Sequence, residues 1–211
     1  NQYAAEKPNM TQETNPTLVK WENWMGYNNI GIYQHSGTGN ANLWYRPHNN
    51  CMMKNYGPFC SVCKEVIIEK VHDIVGTPVL TYYPVQNNIV YTNPLQFKLD
   101  LLKPEPNTLS VKWKLNGIEV ATNIDSITIL SANLIIGNNT LSVEILDTSA
   151  YIRDDLHPTN HIYNVNWTIS NPCIYGCVDP NASNYNPNAT CDNGSCTYPD
   201  LEITNEHHSI F

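Results

Sequence analysis

Charge is scarce in this sequence. Asp, Glu, Lys and Arg make up only 14% of its 211 residues, against roughly a quarter in ordinary soluble domains. The 11 basic residues nowhere cluster and the formal net charge is −8, which excludes nucleic acid as the main partner. No run of apolar residues is long enough to span a membrane, so no transmembrane helix is expected. An initiator Met and a signal peptide are both missing, and a processed or truncated piece is therefore expected. Between Cys63 and Cys173 there is no cysteine at all, which excludes an internal disulfide from the middle of the chain.

Amides carry the polarity instead: there are 30 Asn. Apolar residues reach 41%, enough for packed cores, and the length suits one to three small domains. The seven cysteines fall into two groups, Cys51, Cys60 and Cys63 near the start, and Cys173, Cys177, Cys191 and Cys196 near the end. Such clusters in an acidic, Asn-rich chain favour an oxidising, extracytoplasmic compartment. A metal site in a reducing cell is the competing reading. The odd count leaves one cysteine unpaired or paired outside the chain.

The pattern divides into four parts. Residues 1–76 open polar and irregular, with a short amphipathic stretch over Thr17-Leu-Val-Lys-Trp-Glu-Asn-Trp-Met25 and a short strand at Ile30-Gly-Ile-Tyr33. Ser61 to Val75 then reads as a helix, with Val62, Val66, Ile67, Val71 and Ile74 at helical spacing, stopped by Gly76 and Pro78. Residues 77–170 alternate as short strands: 96–102, the strictly alternating 109–115, 118–120, 126–130, 140–146 and 163–169, with Asn116-Gly117 supplying a two-residue hairpin turn. Six or seven strands in this length predict an immunoglobulin-like β-sandwich with Trp113 in its core. In residues 171–198 the four cysteines are too dense for a conventional core and predict a disulfide-stapled module. Residues 199–211 read as a linker or tail.

An ordered series in the first part resembles a known family. It comprises Glu6-Lys-Pro-Asn-Met-Thr-Gln-Glu-Thr-Asn-Pro-Thr-Leu-Val-Lys-Trp21, Ile30-Gly-Ile-Tyr33, Tyr45-Arg-Pro47, Cys51-Met-Met53 and Phe59-Cys-Ser-Val-Cys63. Together these resemble the end of the catalytic domain in the IgA-peptidase family of secreted, metzincin-like zinc metallopeptidases. The resemblance implies an α+β end of a metallopeptidase domain over residues 1–76. It implies a Met-turn at Met53, with Tyr45 and Arg46 near the substrate cleft. The family's zinc helix carries H-E-x-x-H, which needs two His four apart with a Glu beside the first. None of the seven His begins that motif. His157 and His161 have the spacing, but Pro158 replaces the Glu and disfavours a helix interior. The chain by itself is then catalytically silent. Zinc, its ligands and the general base would lie in an upstream fragment of the same protein, with a protein or peptide as substrate.

Cys60-Ser-Val-Cys63 is also a C-x-x-C, which serves as a redox pair or half a zinc knuckle. With Cys51 and His48 it could complete a Cys₃His set. A disulfide from Cys51 to Cys60 or Cys63 is the preferred expectation in an oxidising compartment.

The third part, Gly176-Cys-Val-Asp-Pro-Asn-Ala-Ser-Asn-Tyr-Asn-Pro-Asn-Ala-Thr-Cys-Asp-Asn-Gly-Ser-Cys-Thr-Tyr198, is similar to a cysteine-containing repeat of secreted Bacteroidetes proteins. That resemblance implies a Cys177–Cys196 pair, leaving Cys173 with Cys191. Oxygens of Asp179, Asn181, Asn184, Asn186, Asn188, Asp192 and Asn193 suggest calcium, a hard ion taking six to eight oxygens. Asn-driven turns explain the same composition. The ending Leu201-Glu-Ile-Thr-Asn-Glu-His-His-Ser-Ile-Phe211 resembles the junction before a type IX secretion sorting domain. A secreted or surface-attached bacterial protein is implied.

Three functions follow as expectations. The first is the C-terminal portion of a secreted zinc endopeptidase. The second is a non-catalytic surface protein that binds or supports a partner, with the loops at Asn87-Asn88 and Asp154 to Asn160 as candidate contacts. The third, an intracellular zinc protein built on Cys51, Cys60 and Cys63, is disfavoured by the cysteine-rich third part.

Overall fold

The computed structural model describes residues 4–92 and 94–199. The expected tail at 199–211 lies outside them but for Pro199.

Residues 4–76 hold little regular structure before their helix. Strand β1 (Tyr33–Gln34) pairs antiparallel with β2 (Tyr45–Arg46), and Thr11 exchanges two backbone hydrogen bonds with Tyr45. The expected strand at 30–33 shrinks accordingly to its end, and the amphipathic stretch becomes turns with a single 3₁₀ turn over Glu22–Trp24. Val19, Trp21, Trp24, Ile30, Val62 and the three cysteines form a small buried core. Trp21 is seated by its indole N–H on the carbonyl of Gly31 at 3.0 Å. Helix α1 (Ser61–Val75) occupies the predicted span and ends on Gly76, whose φ of +75° suits a residue without a Cβ. Its burial departs from the amphipathic expectation. Of the five spaced apolar residues only Val62 is fully buried, while Ile67, Val71 and Ile74 are exposed.

The alternating segment folds as a β-sandwich. Its strands are β3 (Val79–Tyr83), β4 (Asn88–Val90), β5 (Leu95–Leu101), β6 (Leu109–Leu115), β7 (Ile118–Thr122), β8 (Ser126–Ile129), β9 (Gly137–Asp147) and β10 (Tyr163–Asn171). One sheet runs β3-β5-β8 and the other β4-β10-β9-β6-β7. All pairs are antiparallel except β4 on β10. Sheets that interleave in this order, with the third long strand crossing to the opposite sheet, are immunoglobulin-like. Residues 109–115 bury Leu109, Val111, Trp113 and Leu115 alternately, as period-two patterning demands. At the hairpin between β6 and β7, Asn116 and Gly117 both have positive φ, 51° and 82°, the backbone a two-residue turn requires.

Aromatic rings lock the two sheets. Trp113 on β6 stacks on Trp167 of β10 with centroids 5.9 Å apart, and Phe97 and Tyr82 from the other sheet meet Trp167 edge-on. Both indole N–H groups find carbonyls, Trp113 on Ile124 and Trp167 on Pro84, each at 2.8 Å. Buried indoles satisfied in this way add packing area without an unmet donor.

A short helix α2 (His157–Asn160) interrupts the β9–β10 connection. The last module pairs β11 (Tyr175–Gly176) with β12 (Cys191–Asp192). Disulfides join Cys173 to Cys191 and Cys177 to Cys196. Gly176 is required by close approach: a Cβ there would stand 3.0 Å from Ala189 Cβ and from Asn186 Nδ2. No helix among the described residues is long and apolar enough to cross a membrane.

Candidate functional site

The polar face of α1 is bonded to the β9–β10 connection. Glu65 accepts from the indole of Trp24 at 2.7 Å and from the amides of Arg153 and Asp154. One turn on, Glu69 faces His157 Nδ1 at 2.7 Å and His161 Nε2 at 2.9 Å. His72 Nε2 lies 3.2 Å from Asp147 Oδ2, and its ring sits 5.1 Å from that of His161. Arg153 closes the far end. Its guanidinium lies over Tyr27 and Trp24, 3.5 and 4.8 Å from the ring centroids, a favourable cation–π placement. In the 154–160 loop, expected to present itself to a partner, His157 is buried against Glu69 and the Asp154 amide is bonded to Glu65, while the other side chains stay exposed. Pro158 fits because it falls in the first turn of α2, where no helical N–H is needed.

Beside this seam lies an apolar groove of about 360 Å³ between α1 and the sandwich. Ile68, Val71 and Val75 of α1 form one wall, and Leu102, Pro104 and Pro106 of the β5–β6 connection form the other. Three of its polar groups are engaged with each other: Thr108 donates to Asp147 Oδ1 at 2.6 Å, and His72 meets Asp147 Oδ2. The exposed Ile67, Val71 and Val75 of α1 line this groove. The helix turns its carboxylates to the sandwich and leaves its aliphatic side chains open.

The three early cysteines converge at the start of α1. Cys51, Cys60 and Cys63 are buried thiols whose sulfurs all lie within 4.8 Å of one another. The expected disulfide from Cys51 is not formed: its sulfur stands 3.6 Å from that of Cys63, beyond bonding distance. The amide of Cys60 donates to Cys51 Sγ at 3.3 Å and Asn9 Nδ2 to Cys63 Sγ at 3.2 Å. Hydrogen bonds, first from Cys63, hold the Cys60 thiol down to about 6 against its burial, and donation to Cys60 pushes Cys63 up.

His48 does not complete a Cys₃His set. Its Nδ1 accepts the Asn50 amide at 2.9 Å, so the neutral ring carries its proton on Nε2 and offers no lone pair there. His35, Arg46 and His48 line a cavity of about 30 Å³ with the three cysteines. Arg46 is only 5% exposed. It donates through Nη2 to the carbonyls of Gln34 and His35, while its Nε and Nη1 are buried without a hydrogen-bond partner.

The structure buries Arg46 on the wall of the thiol cavity. Tyr45 is half-buried on β2. Met53 lines the rim of the thiol cavity and is 64% exposed.

In the last module the side chains considered for calcium make hydrogen bonds within the module, some in turns and some across it. Asp179 Oδ1 accepts the Asn181 amide and Oδ2 the Tyr198 hydroxyl at 2.7 Å, which holds the exposed Asp179 carboxyl below its ordinary range. Asn184 bonds to both Ser195 and Thr197. Asp192 accepts the Gly194 amide.

Sequence reasoning missed Glu65, Glu69, His72 and Asp147, which are ordinary helix-face and strand-end residues in one dimension. The i, i+4 and i+7 spacing of Glu65, Glu69 and His72 on one side of α1 was the available signal.

No family model matches this chain, and no curated protein matches it. Several solved structures are weakly similar, among them the following three. A quinonprotein alcohol dehydrogenase-like protein of Bacteroides thetaiotaomicron is 17% identical over 44% of this chain and 19% of its own, with a TM-score of 0.32. The fibronectin(III)-like modules of Clostridium thermocellum CbhA are 12% identical over 44% of this chain and 94% of theirs, at 0.29. The Bacteroides ovatus mixed-linkage glucan utilization protein SGBP-B, solved with a heptasaccharide, is 15% identical over 48% of this chain and 26% of its own, at 0.30. The chain thus spans only a minor share of the first and third of these. Strand order and register, rather than these likenesses, define the sandwich.

Proposed function

We propose that this chain is a non-catalytic, partner-binding region of an extracytoplasmic protein, in which the sandwich and α1 together present an apolar groove to a polypeptide. The groove itself carries this reading. Aliphatic and proline walls take apolar side chains, and about 360 Å³ lies within the usual range for ligand pockets. At its floor His72, Thr108 and Asp147 are engaged with one another and offer a sugar little. The two disulfides fit an oxidising compartment.

Titration of the methyl-labelled chain with apolar peptides and with oligosaccharides tests the reading. Peptides should shift the Ile68, Val71 and Val75 methyls, and Val71→Glu should abolish those shifts. Oligosaccharide binding at the same methyls, or no response to any peptide, would sink it.

A second reading has its own support. The first segment leaves Leu18, Tyr27, Met52, Met53 and Tyr56 exposed, an apolar surface that an upstream fragment bearing H-E-x-x-H would cover. On this reading the chain closes a secreted zinc endopeptidase. The polypeptide carrying this sequence, isolated from its source, would then contain a catalytic zinc and cleave peptides in a chelator-sensitive way. Absence of chelator-sensitive peptidase activity from that polypeptide would remove this reading and leave the groove reading standing.

A further inference from the structure

We propose that Cys51, Cys60 and Cys63 together bind one thiophilic divalent cation, zinc by preference, as a structural site separate from the groove and from any peptidase chemistry. The geometry is close to what the ion needs. Zn–S bonds of about 2.3 Å in a tetrahedron set sulfurs about 3.8 Å apart. The Cys51 and Cys63 sulfurs are 3.6 Å apart, and all three fall within 4.8 Å. Donors to sulfur are in place, from the Cys60 amide and from Asn9, and such donors favour thiolates.

The charge of Arg46 supplies an independent argument. Its guanidinium is buried on the same cavity with Nε and Nη1 unpartnered. A buried cation without a counter-charge is strongly destabilising. Three neutral thiols do not meet that charge, whereas a thiolate on the cavity does. Three thiolates around a divalent cation carry a net charge of −1 and do. Each thiol loses its proton to solvent as its sulfur takes the metal, with no change of oxidation state. The cavity, at about 30 Å³, has room for a water to fill the fourth position. Metal binding also accounts for an odd number of thiols persisting beside two formed disulfides. Any pairing among the three would strand one buried thiol, whereas one ion uses all of them.

Cobalt titration of the full chain, with its two disulfides intact, tests this. One equivalent should bind with thiolate-to-cobalt charge transfer in the near ultraviolet and the visible bands of a tetrahedral ion. Zinc should displace it at a one-to-one ratio. Cys60→Ser with Cys63→Ser should abolish the signal, and Arg46→Gln should weaken zinc binding while Trp21 fluorescence reports an intact first segment. If the cysteine variants do not fold, the spectrum of the unaltered chain decides alone. No uptake, an octahedral spectrum, or a disulfide among these three cysteines in freshly isolated protein would overturn the site. So would uptake that survives the cysteine changes but is lost in His157→Ala with His161→Ala, which would place the ion at the Glu69 seam instead.

Discussion

Glu69 on α1 meets His157 Nδ1 at 2.7 Å, while the other nitrogen of the same ring lies 3.0 Å from the carbonyl of Asp147. Both ring nitrogens therefore lie against oxygens, one of a carboxylate and one of a carbonyl. His157 is almost wholly buried, with the Glu69 carboxylate directly against its ring. His161 adds a second donor to the same carboxylate at 2.9 Å. One glutamate thereby ties the helix of the first segment to the sandwich.

Glu69→Ala should therefore cost more than its partial exposure suggests. It strands two histidine N–H groups in a buried place, and a lost charged partner of this kind costs about 2–3 kcal/mol. Urea unfolding should show the loss, and the first segment should melt ahead of the sandwich. Glu69→Gln keeps an acceptor for one histidine and should recover part of it. An unchanged single transition in Glu69→Ala would show that the seam does not couple the two parts.

The aromatic stack makes a separate prediction. Trp167→Phe preserves ring packing against Trp113 and Phe97 but removes the indole N–H that satisfies the Pro84 carbonyl. The carbonyl is left unmet beside a small void, at a cost of about 2 kcal/mol. The denaturation midpoint should fall with no change of slope. A loss below about 0.5 kcal/mol, within the range of ordinary surface substitutions, would mean that water reaches Pro84.

Much of the sandwich was legible because its signals are local. The strict alternation of 109–115 and the Asn116-Gly117 turn fix β6 and its hairpin without any distant contact. Helix α1 was equally legible, since its residues set its own period and Gly76 ends it. Strands β3 and β4 were not read, because both are short and partly exposed and prolines flank them. The direction α1 faces was misread for a physical reason. Hydrophobic spacing assumes that apolar side chains turn inward, but here Glu65 and Glu69 are claimed by amides and imidazoles 88 or 89 residues away. Nothing local announces such partners. The same applies to Arg46, whose burial against three cysteines follows from the β1–β2 pairing and not from its neighbours in sequence.

Reducing the disulfides should act on one module only. Cys173–Cys191 and Cys177–Cys196 both close within residues 171–198, and the sandwich has no cysteine. Closing loops of this length contributes about 3 kcal/mol each by the chain-entropy estimate. Hydrogen exchange after reduction should show lost protection over 172–198 and unchanged protection at Val143 and Trp167. Loss of protection in β9 would mean that the last module also supports the sandwich, contrary to the contacts described.

Thiol reactivity supplies the pH-dependent prediction. In metal-free protein the Cys60 thiol titrates at about 6, lowered chiefly by the hydrogen bond from Cys63, which is itself pushed up. The thiolate is the nucleophile, so Cys60 should be alkylated before Cys63 at pH 7. Its rate should fall as pH drops through about 6, where the sulfur regains its proton. Burial slows the reaction at both cysteines without reversing that order. Saturating zinc should protect both together, because a metal-bound thiolate is shielded from the reagent. Mass-spectrometric mapping of iodoacetamide adducts between pH 5 and 8, with and without zinc, measures all of this at once. Modification of Cys63 first, or a rate midpoint near the ordinary thiol value of about 8.5, would show that the Cys63-to-Cys60 hydrogen bond does not govern the pair in solution.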